Sequence, residues 1–309
     1  MTTTRTSRKL AVCAALSSAC LFGAGVPAAK HLVNFVHPVL LAGLFYIGSG
    51  CGLSLLLYAK QRLANSHSSP RPSLRDRKWQ IISALLGGVC APMLLMLSMK
   101  LAAASSVALV LNSEIVFTVL IASIFFQERL SRRELFGISA ITTGGISLAW
   151  GSNIDVCWAL LLAAGAALSW AIDTNLTNQI AHLDPLGVAR FKGLLAGSIN
   201  LVGGLLLGGS VQDTGIICGA LTTGLVCYGL SLSAFIFSLR TLGAARAVAY
   251  FAVEPFIGAL LSVLLLHEPF TITLMLAGIL MAIGVSIHLT EPHPQTDDIG
   301  IPMVDNQHY

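Results

Sequence analysis

Two glutamates stand at one fixed spacing inside apolar stretches, Glu114 in LVLNSEIVFTVLIASIFFQE and Glu254 in YFAVEPFIGALLSVLLLHE, 140 residues apart. An ionised side chain near the centre of a bilayer costs about 2.5–3.5 kcal/mol on insertion scales, so a duplicated one points to function. The chemistry open to a carboxyl at that depth is to take up and release a proton, or to hold a polar group of a passing molecule. Glu254, well inside its stretch and beside Pro255, is the first candidate for proton coupling. Glu114 is its mate, flanked by Asn112 and Ser113. The alternative is that each carboxyl stays protonated and bonds a neighbouring helix, an interaction of about 0.6 kcal/mol on average.

Other side chains could join them. Tyr250 lies four residues before Glu254, one turn back on the same face of a continuous helix. Asp173, in SWAIDTNLTNQIAH, has no acidic counterpart, because Gly25 stands at the aligned position; with Asn175 and Asn178 it could select a substrate or proton, or be solvated at the inner end of its helix. Trp170, Tyr228, Phe251, Met93 and Met96 could line a cavity or serve as bundle core and interface belt. Arg190 and Lys192 could hold an anionic substrate group, but the preferred reading is that they snorkel to the inner surface. Glu128 and Glu268 close their stretches 140 residues apart at opposite ends, as gate latches or as carboxylates solvated at the interface.

The elements that must position these groups follow from composition. Only 10% of the residues are charged and the mean hydropathy is +0.80, which excludes an ordinary aqueous fold. Spans of roughly 20 apolar residues are predicted at Leu10–Ala29, Val39–Ala59, Ile81–Met99, Ala103–Phe126, Leu135–Gly151, Val156–Ile180, Leu186–Leu207, Gly215–Ser238, Ala245–Leu266 and Thr271–Leu289. The chain therefore reads as an all-α polytopic membrane protein of ten transmembrane helices. Ungapped alignment of its halves also matches Ser98 with Ser238, Lys100 with Arg240, Ala104 with Ala244 and Gly144 with Gly284. Five spans per half is an odd number, so the halves should enter the membrane in opposite directions, as two inverted repeats. The expected organisation is an N-terminus at 1–9, repeats at 10–151 and 152–290, and a disordered tail at 291–309.

With the N-terminus inside, fourteen basic residues collect on the inner side, among them Arg5, Lys60, Arg71, Arg129 and Arg246, against Lys30 and Lys100 outside. That bias places both termini in the cytoplasm, and assigns the net charge of +4 to topology rather than to a nucleic-acid partner. The first span resembles a signal peptide in its basic start and small residues, but its cleavage would delete one repeat's first helix, so it is read as retained. Seven cysteines show no metal-ligand spacing. No HExxH, GxSxG or paired Asp motif appears, and the chain is expected to carry no catalytic residue, metal or cofactor. Gly193 and Gly197 form a GxxxG face, read as packing within the chain, with a homodimer as the other possibility.

The pattern of two five-helix halves, each with a fourth helix entered by small residues (AAASSVALVLNSEIVFTVLIASIFFQERL and GAARAVAYFAVEPFIGALLSVLLLHEPF) and followed by a Gly-punctuated fifth, resembles the EamA family of the drug/metabolite transporter superfamily. The most specific element is the acid that ends those helices, in Glu128-Arg129-Leu130 and Glu268-Pro269-Phe270. The resemblance implies a secondary transporter of the bacterial inner membrane, usually an exporter of amino acids or other small metabolites. The family often has a proline in both fourth helices; here Ile115 follows Glu114 where Pro255 follows Glu254, so a kink is expected in the second half only. Proton-linked export by alternating access is the leading expectation, with the bilayer, protons and a small molecule as partners in a monomer or homodimer. An uncoupled facilitator, exchanger or importer is the alternative, and an intramembrane lipid-processing enzyme or a scaffold is a distant one.

Overall fold

The computed structural model describes residues 2–64, 72–126 and 131–290. These residues form ten helical rods and, among them, no strand. In chain order the rods are α1 (Thr2–Leu32), α2 (Pro38–Ala64), α3 (Leu74–Leu101), α4 (Ala104–Val110 and Ser113–Phe126), α5 (Arg132–Ala149), α6 (Ile154–Gln179), α7 (Pro185–Leu206), α8 (Thr214–Leu242), α9 (Ala244–Phe251 and Glu254–Leu266) and α10 (Ile272–Thr290). Among the described residues, seven helices are long and apolar enough to cross a membrane by length and composition alone, and Ile272–His288 is a shorter apolar one. The chain is a polytopic membrane protein. Glu128 and the tail at 291–309 lie outside the described residues.

Helix ends near the surface are closed by side chains the sequence supplies at the right offset. Ser73 with Asp76 opens α3, and Ser131 with Glu134 opens α5, each as a reciprocal capping box. Asn153, Asp184 and Asp213 accept from first-turn N–H groups of α6, α7 and α8. These caps satisfy donors that would otherwise be orphaned where water thins out.

The repeat is visible in how the rods depart from regular α-helix. α3 contains a π-helical turn at Ala84–Cys90 and α8 one at Gly224–Leu230, displaced by the same 140 residues as the glutamates. α4 and α9 are each interrupted just before their glutamate. The kink expected in the second half alone therefore occurs in both. In α9 it coincides with Pro255 in the first turn of the resumed helix, where its missing N–H costs nothing. In α4 no proline is present. Its break is bridged by tightened backbone bonds, Asn112 N–H to Leu109 O (3.0 Å) and Glu114 N–H to Leu111 O (2.9 Å). The Asn112 side chain adds Nδ2–H to the same Leu109 carbonyl at 3.0 Å, so a local amide competes with the helix where proline would have broken it.

Packing exchanges the halves. α1 lies against α8 and α9, and its counterpart α6 lies against α3 and α4. Ser98 Oγ of α3 donates to the Ala159 carbonyl of α6 (2.7 Å), and its repeat mate Ser238 Oγ of α8 donates to the Ala11 carbonyl of α1 (2.5 Å). α2 crosses α7 backbone to backbone. A Cβ on Gly193 would approach Gly50 N to 2.6 Å, and one on Gly197 would approach Ile47 N to 2.6 Å. The GxxxG face is thus consumed within the chain. α5 and α10 pack on one another, Gly137 against Gly284.

Candidate functional site

Between the halves lies a cavity lined by every rod except α5 and α10. Of the residues singled out by type and spacing, Glu114, Glu254 and Asp173 line it together, with Trp170, Tyr228 and Phe251.

Glu254 opens the second segment of α9 and is 3% exposed. Its Oε1 atom is buried and makes no hydrogen bond. A side chain on Gly23 of α1 would close to 3.0 Å from the Glu254 carbonyl, so the glycine is what lets the broken helix approach α1. Glu114 opens the second segment of α4 and is half-buried. It accepts from Thr174 Oγ1 of α6 at 3.1 Å.

Asp173 is 7% exposed and Lys192 of α7 is 2% exposed. Lys192 Nζ donates to both carboxylate oxygens at 2.7 Å, and Ser83 Oγ and Thr177 Oγ1 add bonds to Oδ1 at 2.5 and 3.2 Å. Lys192 therefore does not snorkel. It reaches inward from α7 to the Asp173 carboxylate of α6. A buried charge pair of this kind needs the extra hydrogen bonds it has here to offset the loss of water. Arg190, two residues earlier, is exposed.

The π turn in α3 shapes the wall beside this pair. Ala91 N–H bonds the Leu86 carbonyl, a slip that releases the Gly87 carbonyl from the helix. Gly87 O accepts instead from Tyr46 Oη (2.8 Å) and Trp170 Nε1 (3.0 Å), and Gly88 O accepts from Asn200 Nδ2 (2.9 Å). A Cβ at Gly87 would collide with the Asp173 carboxylate. With their polar tips so engaged, the rings leave apolar faces for the cavity. Phe22 stands at the centre of this aromatic group, 5.4 Å from Trp170, 5.1 Å from Tyr228 and 6.0 Å from Phe251, centroid to centroid.

Three sequence candidates sit elsewhere. Tyr250 is 37% exposed and Phe251 takes the cavity position. The one-turn argument that favoured Tyr250 assumes a continuous helix, and the break at 252–253 rotates the register. Asn175 is exposed and donates to the Ala171 carbonyl one turn back. Asn112 is 2% exposed, held between Leu109 O and Met281 Sδ, and shapes the α4 break rather than the cavity wall. Met96 is core. Tyr46, Phe22 and Gly87 are among the lining residues that spacing did not single out, and Lys192, preferred as a snorkelling residue, lines the cavity as well. The Gly87-Gly88 pair inside an apolar helix was the one available signal of close backbone approach.

Glu268, in the connection after α9, accepts from the N–H groups of Ala104 (2.7 Å) and Ser105 (2.8 Å), closing the N-terminus of α4 in the other half. Lys30 of α1 donates to the Met99 (2.5 Å) and Ala102 (2.8 Å) carbonyls at the end of α3. The α3–α4 corner is thus held by an acid at its free N–H groups and a base at its free carbonyls, the arrangement that helix dipoles favour.

A profile of the EamA-like transporter family matches the chain twice, over residues 9–150 and 157–290. An uncharacterized transporter of Methanothermobacter thermautotrophicus is 26% identical over 288 residues, covering 88% of this chain and 84% of that protein. A solved crystal structure with 20% identity covers 91% of this chain and 98% of its own, and superposes with a TM-score of 0.66, which establishes a shared fold.

Proposed function

Since the chain belongs to the EamA-like transporter family, we propose that it is a secondary active transporter, a proton-linked exporter of small metabolites such as amino acids or related amphipathic compounds. Its halves are inverted repeats that rock about the cavity to give alternating access. It resides in the bacterial inner membrane with both termini in the cytoplasm, the orientation that its basic residues favour. In that orientation Glu268 and Lys30 hold the outer end of the bundle together at the α3–α4 corner, and release of those bonds opens it.

The observation that carries this reading is Glu254: buried, facing the cavity, with one oxygen that no protein donor satisfies. A carboxyl so placed can exchange a proton for a substrate group as the cavity opens to either side, which is what couples a proton gradient to transport. The Asp173–Lys192 pair is already charge-neutral and sits one wall away, so it holds the shape and polarity of the cavity rather than carrying the exchanged proton. The decisive experiment is transport in proteoliposomes with an imposed pH gradient. Wild-type protein should drive uptake or release of its substrate in step with the gradient, and Glu254→Gln should abolish that dependence while inserting at normal levels. Gradient-independent movement that survives in the Glu114→Gln, Glu254→Gln double variant would mean an uncoupled facilitator instead.

A further inference from the structure

From the charges and rings around the cavity we infer that its ligand is an organic cation, an amine or quaternary ammonium carried on an apolar or aromatic body, seated against Glu254 within the Phe22 aromatic group. The inference rests on the transport reading above and narrows the substrate class of that same site, setting amines without a carboxylate ahead of the amino acids named there.

The argument begins with what the cavity cannot offer. Among the described residues, Lys192 is the one base on its wall. Both oxygens of Asp173 already hold that ammonium at 2.7 Å, at 2% exposure. A substrate carboxylate or phosphate could claim it only by stripping Asp173, which leaves an uncompensated charge in a dry site. Among the described residues, no free positive group lines the cavity for an anion.

What the cavity does offer points the other way. Glu114 and Glu254 face it with no basic partner, and Glu114 has a single neutral donor in Thr174. Glu254 Oε1 has no donor at all. Beside them stand four rings clustered on Phe22, with Tyr46 and Trp170 turned so that their donors face Gly87 and not the ligand. Ring faces attract cations within about 6 Å of their centroids, and more strongly where water is excluded. A carboxylate with one oxygen that has no donor among the described residues, set among aromatic faces, is complementary to an ammonium and its hydrocarbon body. Charge balance agrees: a monovalent cation entering as one proton leaves keeps the cavity's net charge unchanged.

Three compounds that share an indole body and differ in the charged groups they carry test this: tryptamine (cation), tryptophan (zwitterion) and indole-3-acetate (anion). Their binding to the purified full chain in lipid nanodiscs would be measured by calorimetry at mildly alkaline pH. Tryptamine should bind at least about tenfold tighter than either of the others, the scale of one desolvated ion contact. Glu254→Gln should weaken it by roughly tenfold while Glu254→Asp keeps most of the affinity, each checked for a monodisperse elution profile. Equal or tighter binding of the zwitterion or anion overturns the inference, as does failure of the intact protein to bind tryptamine or a Glu254→Gln variant with unchanged affinity. Tryptamine bound but not moved across vesicles would remove the transport reading and leave this one standing. A zwitterion moved in step with the pH gradient, with no amine binding, would do the reverse.

Discussion

The two fourth helices, α4 and α9, are built on one plan and have been put to different use. Each is interrupted before a glutamate, and both glutamates face one cavity. Yet the α4 break is made by an asparagine amide and the α9 break carries a proline, and Glu114 has a hydroxyl donor where one Glu254 oxygen has none. The second half also supplies the Asp173–Lys192 pair, for which the first half has only Gly25 opposite Asp173. Duplication set the positions of the acids, and divergence of their neighbours made one a supported group and left the other with a buried oxygen that has no donor among the described residues. The second half should therefore carry the exchange, and the first half the frame.

The largest test of that contrast is the ion pair. Lys192→Met should destabilise the protein by about 3–5 kcal/mol, since it leaves Asp173 charged and buried, and pairing it with Asp173→Asn should recover most of the loss. Denaturant titration of the three variants in mixed micelles checks this; equal losses in the single and double variants would mean the pair is not a unit. Next comes the glutamate pair. Glu254→Gln removes the exchangeable proton and should abolish gradient-driven transport. Glu114→Gln keeps an oxygen for Thr174 and should lose less than about fivefold, the scale of losing one ordinary hydrogen bond. Equal losses would erase the division of labour between halves.

A smaller effect is expected at the outer corner. Glu268→Gln weakens a charged cap on Ala104 and Ser105, at a cost of about 1 kcal/mol. It should raise the accessibility of a cysteine placed at the outer end, read by maleimide labelling. The smallest effect sharpens the comparison from the opposite side. Ser98→Ala and Ser238→Ala remove repeat-related bonds with the same job, so each should cost about 0.6 kcal/mol and the two should match. A large difference would show that the halves have diverged in packing as well as in chemistry.

Much of the frame was legible from residue order. Apolar runs of membrane-spanning length marked the ten rods, because the bilayer demands a fixed length and full backbone pairing, although α1 and α3 begin at Thr2 and Leu74, ahead of the predicted Leu10 and Ile81. The fixed offset that joined Glu114 to Glu254 also joins the two π turns and the Ser98 and Ser238 bonds, which no periodicity announced. The site was legible in part. Glu114, Glu254 and Asp173 do share one cavity. Tyr250 does not, because sequence spacing counts turns of a helix that in fact stops at Phe251 and resumes at Glu254.

Residue order alone thus determined the membrane class, the duplication and the presence of acids at depth, since hydrophobic length and repeated side-chain type are properties of the chain read along itself. Tertiary structure alone decided that Lys192 turns inward to Asp173, that Gly87 gives its carbonyl to Tyr46 and Trp170, and that Glu268 closes a helix in the opposite repeat. Each of those contacts joins different helices, and a lysine, a glycine or a glutamate carries no mark in its own type of which partner will come within 3 Å of it.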